Sequence, residues 1–153
     1  MSHPVNRLAR LISMLAVSVI MAGCAQPAPT TQAVTAPVPG RTHYQVFFDI
    51  DSATIDARGK AVVVAIADVA ANDEKVSVRV IGKTDRVGAP PVNMALSKRR
   101  TEAVLAALVA AGMPRARIDW GWVGERAPEV ATADEKVEPR NRVVDITLAR
   151  EPG

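Results

Sequence analysis

The sequence predicts an α+β domain of order β-α-β-α-β-β, a sandwich with its helices packed on one mixed sheet. Two runs alternate between apolar and polar residues. In residues 75–81, Val76, Val78 and Val80 share one face, and in residues 142–148, Val144, Ile146 and Leu148 do. Two longer stretches carry helical spacing instead, and they fall between the strand-like runs.

Taken in order, Tyr44-Gln45-Val46-Phe47-Phe48 is rich in aromatic and β-branched residues and reads as the first strand. Asp56 then stands where a helix N-cap belongs, ahead of Val62, Ile66 and Val69 at i, i+4 and i+7. After the second strand, residues 93–111 read as a helix that ends at Gly112, with Pro114 just beyond to prevent continuation. Residues 118–123 form a third strand. A loop with Pro128 and Pro139 separates it from the fourth, and no internal repeat is present.

Upstream of this domain, placed at residues 43–150, the composition changes twice. MSHPVNRLAR is a basic start, and LISMLAVSVIMAG is an apolar run too short to span a bilayer, so residues 1–23 read as a signal peptide. The run ends in Met21-Ala22-Gly23-Cys24, which resembles the lipobox of a bacterial lipoprotein, with Met21 in place of the usual Leu. Cys24 is the single cysteine of the chain, so no intramolecular disulfide competes for its thiol. An ordinary signal peptide with a chance cysteine is the alternative. On the lipoprotein resemblance, Cys24 receives diacylglycerol, and two or three acyl chains at roughly 0.8 kcal/mol per buried CH₂ make a lasting anchor. Ala25 follows where an inner-membrane retention signal places Asp, which implies the outer membrane, facing the periplasm. Residues 24–42, the lipidated cysteine and a Pro-, Ala- and Thr-rich linker, carry one charge. At about 3.1 Å per residue an extended linker of this kind reaches roughly 50 Å.

Several function classes are excluded by the residues. The formal charge of +3 falls to +1 once Arg7 and Arg10 leave with the signal peptide. Tyr44, Phe47, Phe48, Trp120 and Trp122 form no basic, aromatic-interleaved patch, so no nucleic acid is expected as partner. Gly82-Lys83-Thr84 looks like the end of a P-loop, but the first glycine of that motif would fall at Ser77, inside a strand. Asp49, Asp51 and Asp56 hint at a calcium loop, yet Ala53 occupies a ligand position and Thr54 the obligatory glycine. His3 lies in the signal segment, and His43 has no Cys or His nearby to complete a metal site or a Ser-His-Asp arrangement. No cofactor and no enzymatic activity are expected.

What remains is Thr84-Asp85-Arg86-Val87-Gly88, followed by Asn93, Ser97 and Arg100 at i, i+4 and i+7 on one helix face. FFDIDSATID, IGKTDRVG, NMALSKRRTEAV, GMPRARI, VGERAP and PRNRVVDI occur in the order and spacing of the OmpA-like C-terminal domain, also found in peptidoglycan-associated lipoproteins. The chain resembles that family over residues 44–149. The resemblance implies non-covalent binding of peptidoglycan through the diaminopimelate of its stem peptide. Asp85 matches the residue that takes the ligand ammonium and Arg100 the one that takes its carboxylate. A guanidinium offers a bidentate fork that Lys98 would not reproduce. Asn93, Ser97, Thr84 and Asp49 belong to the same expected ligand site. Four positions depart from the family pattern: Lys83 stands where His or an aromatic is common, Trp122-Val123 replaces Gly-Tyr, and Val143 replaces the second of two arginines. Two readings of Lys83 are open, pairing with Asp85 against the ligand or helping to hold a ligand carboxylate. The function implied is an outer-membrane lipoprotein tethered to the cell wall. The alternative is an accessory scaffold of a secretion, motor or envelope complex, with protein partners.

Overall fold

The predicted alternation is realised as a four-stranded sheet in a computed structural model, which describes residues 43–150. The chain runs β1 (His43–Phe47), α1 (Ala57–Asn72), β2 (Val76–Lys83), α2 (Pro90–Ala110), β3 (Ile118–Gly124) and β4 (Val143–Arg150). Short 3-10 turns lie at Arg115–Arg117 and Pro139–Asn141. This is the predicted α+β order. The signal segment, Cys24 and the linker lie outside the described residues.

Several boundaries differ from the sequence reading by one to three residues, and two of these shifts bear on the site. Helix α2 starts at Pro90 rather than Asn93, because proline suits the first helical turn, where its missing N–H has no partner to lose. Strand β2 continues through Gly82 and Lys83, which places the Gly-Lys pair in a β-ladder opposite Trp122 and Gly124 of β3. Asp56 caps α1 as expected, accepting a hydrogen bond from Gly59 N at 2.7 Å. At the far end of α2, Gly112 at φ +100° turns the chain. Gly112 N bonds Val109 O and Met113 N bonds Leu108 O, both at 3.0 Å, so the last carbonyls are satisfied.

Strand order in the sheet is β1-β4-β2-β3. β4 is antiparallel to both β1 and β2, whereas β2 and β3 run parallel. Since successive strand side chains face opposite ways, the even-numbered residues Val46, Val78, Val80, Val144 and Ile146 meet Val63 and Ile66 of α1 and Val104 and Leu108 of α2. Each such aliphatic side chain contributes roughly 1.5–3 kcal/mol when fully buried. Gly82 shares that face at the point where β2 meets α2. A Cβ there would lie 2.3 Å from both Ser97 O and Thr101 Oγ1, so only glycine permits this approach. Odd-numbered residues line the opposite face, where Gln45, Lys83 and Asp145 gather.

A charged rim at the end of the sheet

The end of β2 brings the loop at residues 84–88 beside the N-terminal half of α2. Thr84 N donates to Gly124 O at 3.0 Å, which ties this loop to the end of β3. The Thr84 side chain is fully buried, and its hydroxyl has no hydrogen-bond partner among the described residues. Asp85 is 5% exposed. Its Oδ2 accepts from Arg142 Nη1 at 3.2 Å and, more weakly, from Glu138 N at 3.5 Å. Among the described residues both bonds fall on Oδ2, which leaves the lone pairs of Oδ1 for another donor.

Arg100 is fully buried on α2. It donates from Nε to Ser52 O at 2.8 Å, from Nη1 to Lys83 O at 3.2 Å and from Nη2 to Asp49 O at 2.9 Å. The guanidinium also lies 5.2 Å from the centre of the Phe48 ring. One side chain thereby fastens the β1–α1 loop and the end of β2 to the helix. Burial lowers its pKa to about 10, with the Asp85 carboxylate opposing that fall, so Arg100 remains a cation at neutral pH.

Asn93 and Ser97 share this helix face, as the spacing predicts, and both are buried. Asn93 Nδ2 donates to Glu125 Oε2 at 2.6 Å, which spans from α2 to the loop after β3. Ser97 Oγ donates to Met94 O at 2.9 Å and accepts from Gly124 N at 3.0 Å. In these arrangements Asn93 and Ser97 position the rim. Asp49 is exposed and lines a groove of about 320 Å³ together with Phe47, Phe48, Thr54, Arg140 and Arg142. The structure therefore brings Asp85, Arg100 and Asp49 to one end of the sheet; Thr84, Asn93 and Ser97 are buried, and the side chains of Asn93 and Ser97 bond to Glu125 and Gly124 at the end of β3.

Lys83 does not pair with Asp85. As an odd-numbered residue of a strand that continues through it, Lys83 extends onto the face away from the helices. There its Nζ bridges Glu129 and Asp145, the latter at 2.6 Å. Gln45 Nε2 also donates to Asp145 Oδ1 at 3.0 Å. Desolvation alone would lower the Lys83 pKa, but the hydrogen bonds and charges of Asp145 and Glu129 outweigh it and hold the value above the ordinary 10.5. Desolvation would likewise raise that of Asp145, yet hydrogen bonds from Lys83 and Gln45 keep it below the ordinary 3.8. The cation beside Asp85 is Arg142. Arg142, Asp145 and Glu129 were not among the site residues expected from sequence, and the signal for Arg142 was present: it sits in PRNRVVDI, whose family form carries two arginines.

Trp122 departs from the family pattern without entering the rim, since its ring lies under Lys98 Nζ at 5.4 Å. Val143 is fully buried where the family form has arginine.

A family model described as the OmpA family matches residues 47–142. An outer membrane protein of Gluconacetobacter diazotrophicus is 39% identical over 119 residues, covering 74% of this chain and 31% of that protein. The probable lipoprotein YiaD of Escherichia coli K12 is 35% identical over 104 residues, covering 68% of this chain and 48% of that protein. The chain thus spans less than half the length of these two curated relatives. Among solved structures, the peptidoglycan-associated lipoprotein from Burkholderia pseudomallei superimposes with a TM-score of 0.64 at 28% identity, over 69% of this chain and 89% of that one. The C-terminal domain of Helicobacter pylori MotB shares the fold, with a TM-score of 0.60 at 20% identity. The matched segment runs from the end of β1 to the residue before β4 and takes in Asp85, Arg100 and Arg142: the chain belongs to the OmpA family.

Proposed function

We propose that this protein holds peptidoglycan non-covalently and, lipidated at Cys24, tethers the outer membrane to the cell wall from its periplasmic side. The observation that carries this reading is the ion pair of Asp85 with Arg142, near enough to Arg100 for its charge to be felt there, at one rim where Arg142 also lines an open groove. A diaminopimelate side chain ends in an ammonium and a carboxylate, and such a ligand needs an anion and a cation held apart. Asp85 Oδ1 receives the ammonium. Arg100 has five N–H donors, and three carbonyls take up part of that set. Because Arg100 is fully buried, a ligand carboxylate reaches it only when some of the groups around it, Ser52 O, Asp49 O, Lys83 O and the Phe48 ring, give way. Two similar proteins, a probable lipoprotein and a peptidoglycan-associated lipoprotein, support the anchor and the envelope location by their names.

Binding without bond making needs no nucleophile or cofactor. We expect a single-site Kd of about 1 μM to 1 mM, set against the ordering of a flexible peptide. Many sites on one polymer would then strengthen attachment through avidity. Calorimetry with a diaminopimelate-containing stem peptide, alongside a pull-down on purified sacculi, tests the proposal. Wild-type heat equal to buffer dilution up to millimolar peptide would overturn it in favour of a protein-binding scaffold.

A further inference from the structure

A closed circuit of contacts joins Lys83 to Asp85 by a route that leaves the strand and returns. Lys83 Nζ holds Glu129 in the β3–β4 loop. The next residue, Val130, is doubly bonded to the buried Asn141: Val130 N donates to Asn141 Oδ1 and Asn141 Nδ2 to Val130 O, each at 2.8 Å. Asn141 precedes Arg142, and Arg142 reaches back to Asp85 at 3.2 Å. Thr84 closes the circuit between Asp85 and Lys83. The second carboxylate on Lys83, Asp145, is anchored in β4 opposite Ile81 of β2. Lys83 is therefore fastened both to the sheet and to the loop.

We propose that Lys83 is a positioning residue for the ligand site: by clamping Glu129 it fixes the Val130–Asn141 pair, thereby Arg142, and through Arg142 the Asp85 carboxylate. Lys83 is mostly buried and its clamp partner Glu129 partly so, with side-chain exposures of 14% and 29%, while the second carboxylate, Asp145, is at 12%. An ion pair in that setting is more strongly felt than one at the open surface. The loop it holds carries the groove wall at Pro139, Arg140 and Arg142. Release of Lys83 would let that wall and the Arg142–Asp85 pair drift together. Specificity follows from the same geometry, since a ligand ammonium at Oδ1 must fit an oxygen whose partner on Oδ2 is held still.

This inference rests on the proposed ligand role of Asp85, so the experiment has an arm that needs no ligand. Amide hydrogen exchange at Val130 and Glu138 is measured in wild type, Lys83→Met, Lys83→Arg and Glu129→Gln, and stem-peptide affinity is measured in the same four proteins. Lys83→Met and Glu129→Gln should each accelerate exchange at Val130 and weaken peptide binding by about tenfold, equivalent to roughly 1.4 kcal/mol. Lys83→Arg should retain both properties, which a residue acting through bulk alone would not explain. Should Lys83→Met fail to fold, Glu129→Gln together with the charge exchange Lys83→Glu/Glu129→Lys carries the same comparison. Unchanged exchange at Val130 in Glu129→Gln overturns the clamp. Faster exchange with unchanged affinity overturns its link to the ligand. Absence of wild-type binding overturns the proposed function, while the exchange arm still decides whether the clamp exists.

Discussion

Arg142 links two segments that are far apart in the chain: its Nη1 lies 3.2 Å from Asp85 Oδ2, and its Nε donates to Phe48 O at 3.1 Å. The end of β1 and the loop after β2 thereby share one guanidinium. Both members of the ion pair are largely buried, at 12% and 7% side-chain exposure. Removing the cation leaves a buried carboxylate without its counter-charge. Arg142→Met should therefore destabilise the domain by about 2–4 kcal/mol. A double-mutant cycle with Asp85→Asn, read by urea unfolding, should show coupling above roughly 0.5 kcal/mol. Strict additivity would sink the pairing.

Asp85→Asn keeps the size of the side chain and removes the charge that a ligand ammonium needs. It should weaken stem-peptide binding by about tenfold to a thousandfold while circular dichroism remains native. Arg100→Ala should also abolish binding, but for two reasons at once. It strands the carbonyls of Asp49, Ser52 and Lys83 and opens a cavity, so its melting temperature should fall as well. A native melting temperature in Arg100→Ala would contradict the observed bonding.

Gly82→Ala probes the approach of β2 to α2. The added methyl meets backbone Ser97 O, which cannot move without disturbing the helix, and the Thr101 hydroxyl, which cannot move without losing its bonds to Ser97 O and Gly121 O. Overpacking of this kind costs about 1–3 kcal/mol or more. Val78→Asp, in the centre of the same strand and 2% exposed, should be worse, because its carboxylate has no counter-charge among valines. Thermal melts identical to wild type in either variant would contradict the register.

The Lys83–Asp145 pair gives stability a dependence on pH that can be signed. Asp145 has a folded pKa below its ordinary 3.8, so its contribution is complete above that value and is lost as pH falls through the folded one. Lys83 has a folded pKa above its ordinary 10.5, so its contribution is complete below that value and is lost as pH rises through the folded one. The urea-midpoint gap between wild type and Asp145→Asn should thus be widest between these limits and shrink beyond either. A gap that stays constant from acid to alkali would refute the assignment.

Cys24→Ser removes the only thiol able to accept diacylglycerol. The variant should accumulate as an unprocessed or mislocalised precursor that takes up no labelled fatty acid. Normal metabolic labelling would sink the anchor.

Strands β2 and β4 were legible because both lie inside the sheet, where burial on one face imposes strict alternation. β3 was harder to read: it is an edge strand, and Trp120, which falls on its helix-side face, is 41% exposed beneath Arg115. Strand order was not legible at all. The insertion of β4 between β1 and β2 depends on long-range pairing that leaves no local pattern. The same gap hid part of the site. Asp85 and Arg100 could be found from motifs along the chain, whereas the pairing of Arg142 with Asp85 and of Lys83 with Asp145 exists only once β4 lies next to β2. Extending β2 by two residues also decided which way Lys83 points, and no periodicity reaches that far because Gly82 interrupts it.

The pairing of β1 with β4, from His43 opposite Thr147 to Phe47 opposite Val143, has a mechanical consequence. β1 leads from its start at His43 towards the rim where Asp85 and Arg100 lie. A pull transmitted through the residues before His43, against a grip at that rim, runs along the strand axis. Its hydrogen bonds to β4 are then loaded together in shear and must fail as a group, whereas a pull across the strand would open them singly. Forced unfolding is governed by the height of the unfolding barrier. If the proposed tethering holds, a five-residue edge strand, modest as an equilibrium element, would therefore resist a sustained drag between membrane and wall better than its length suggests.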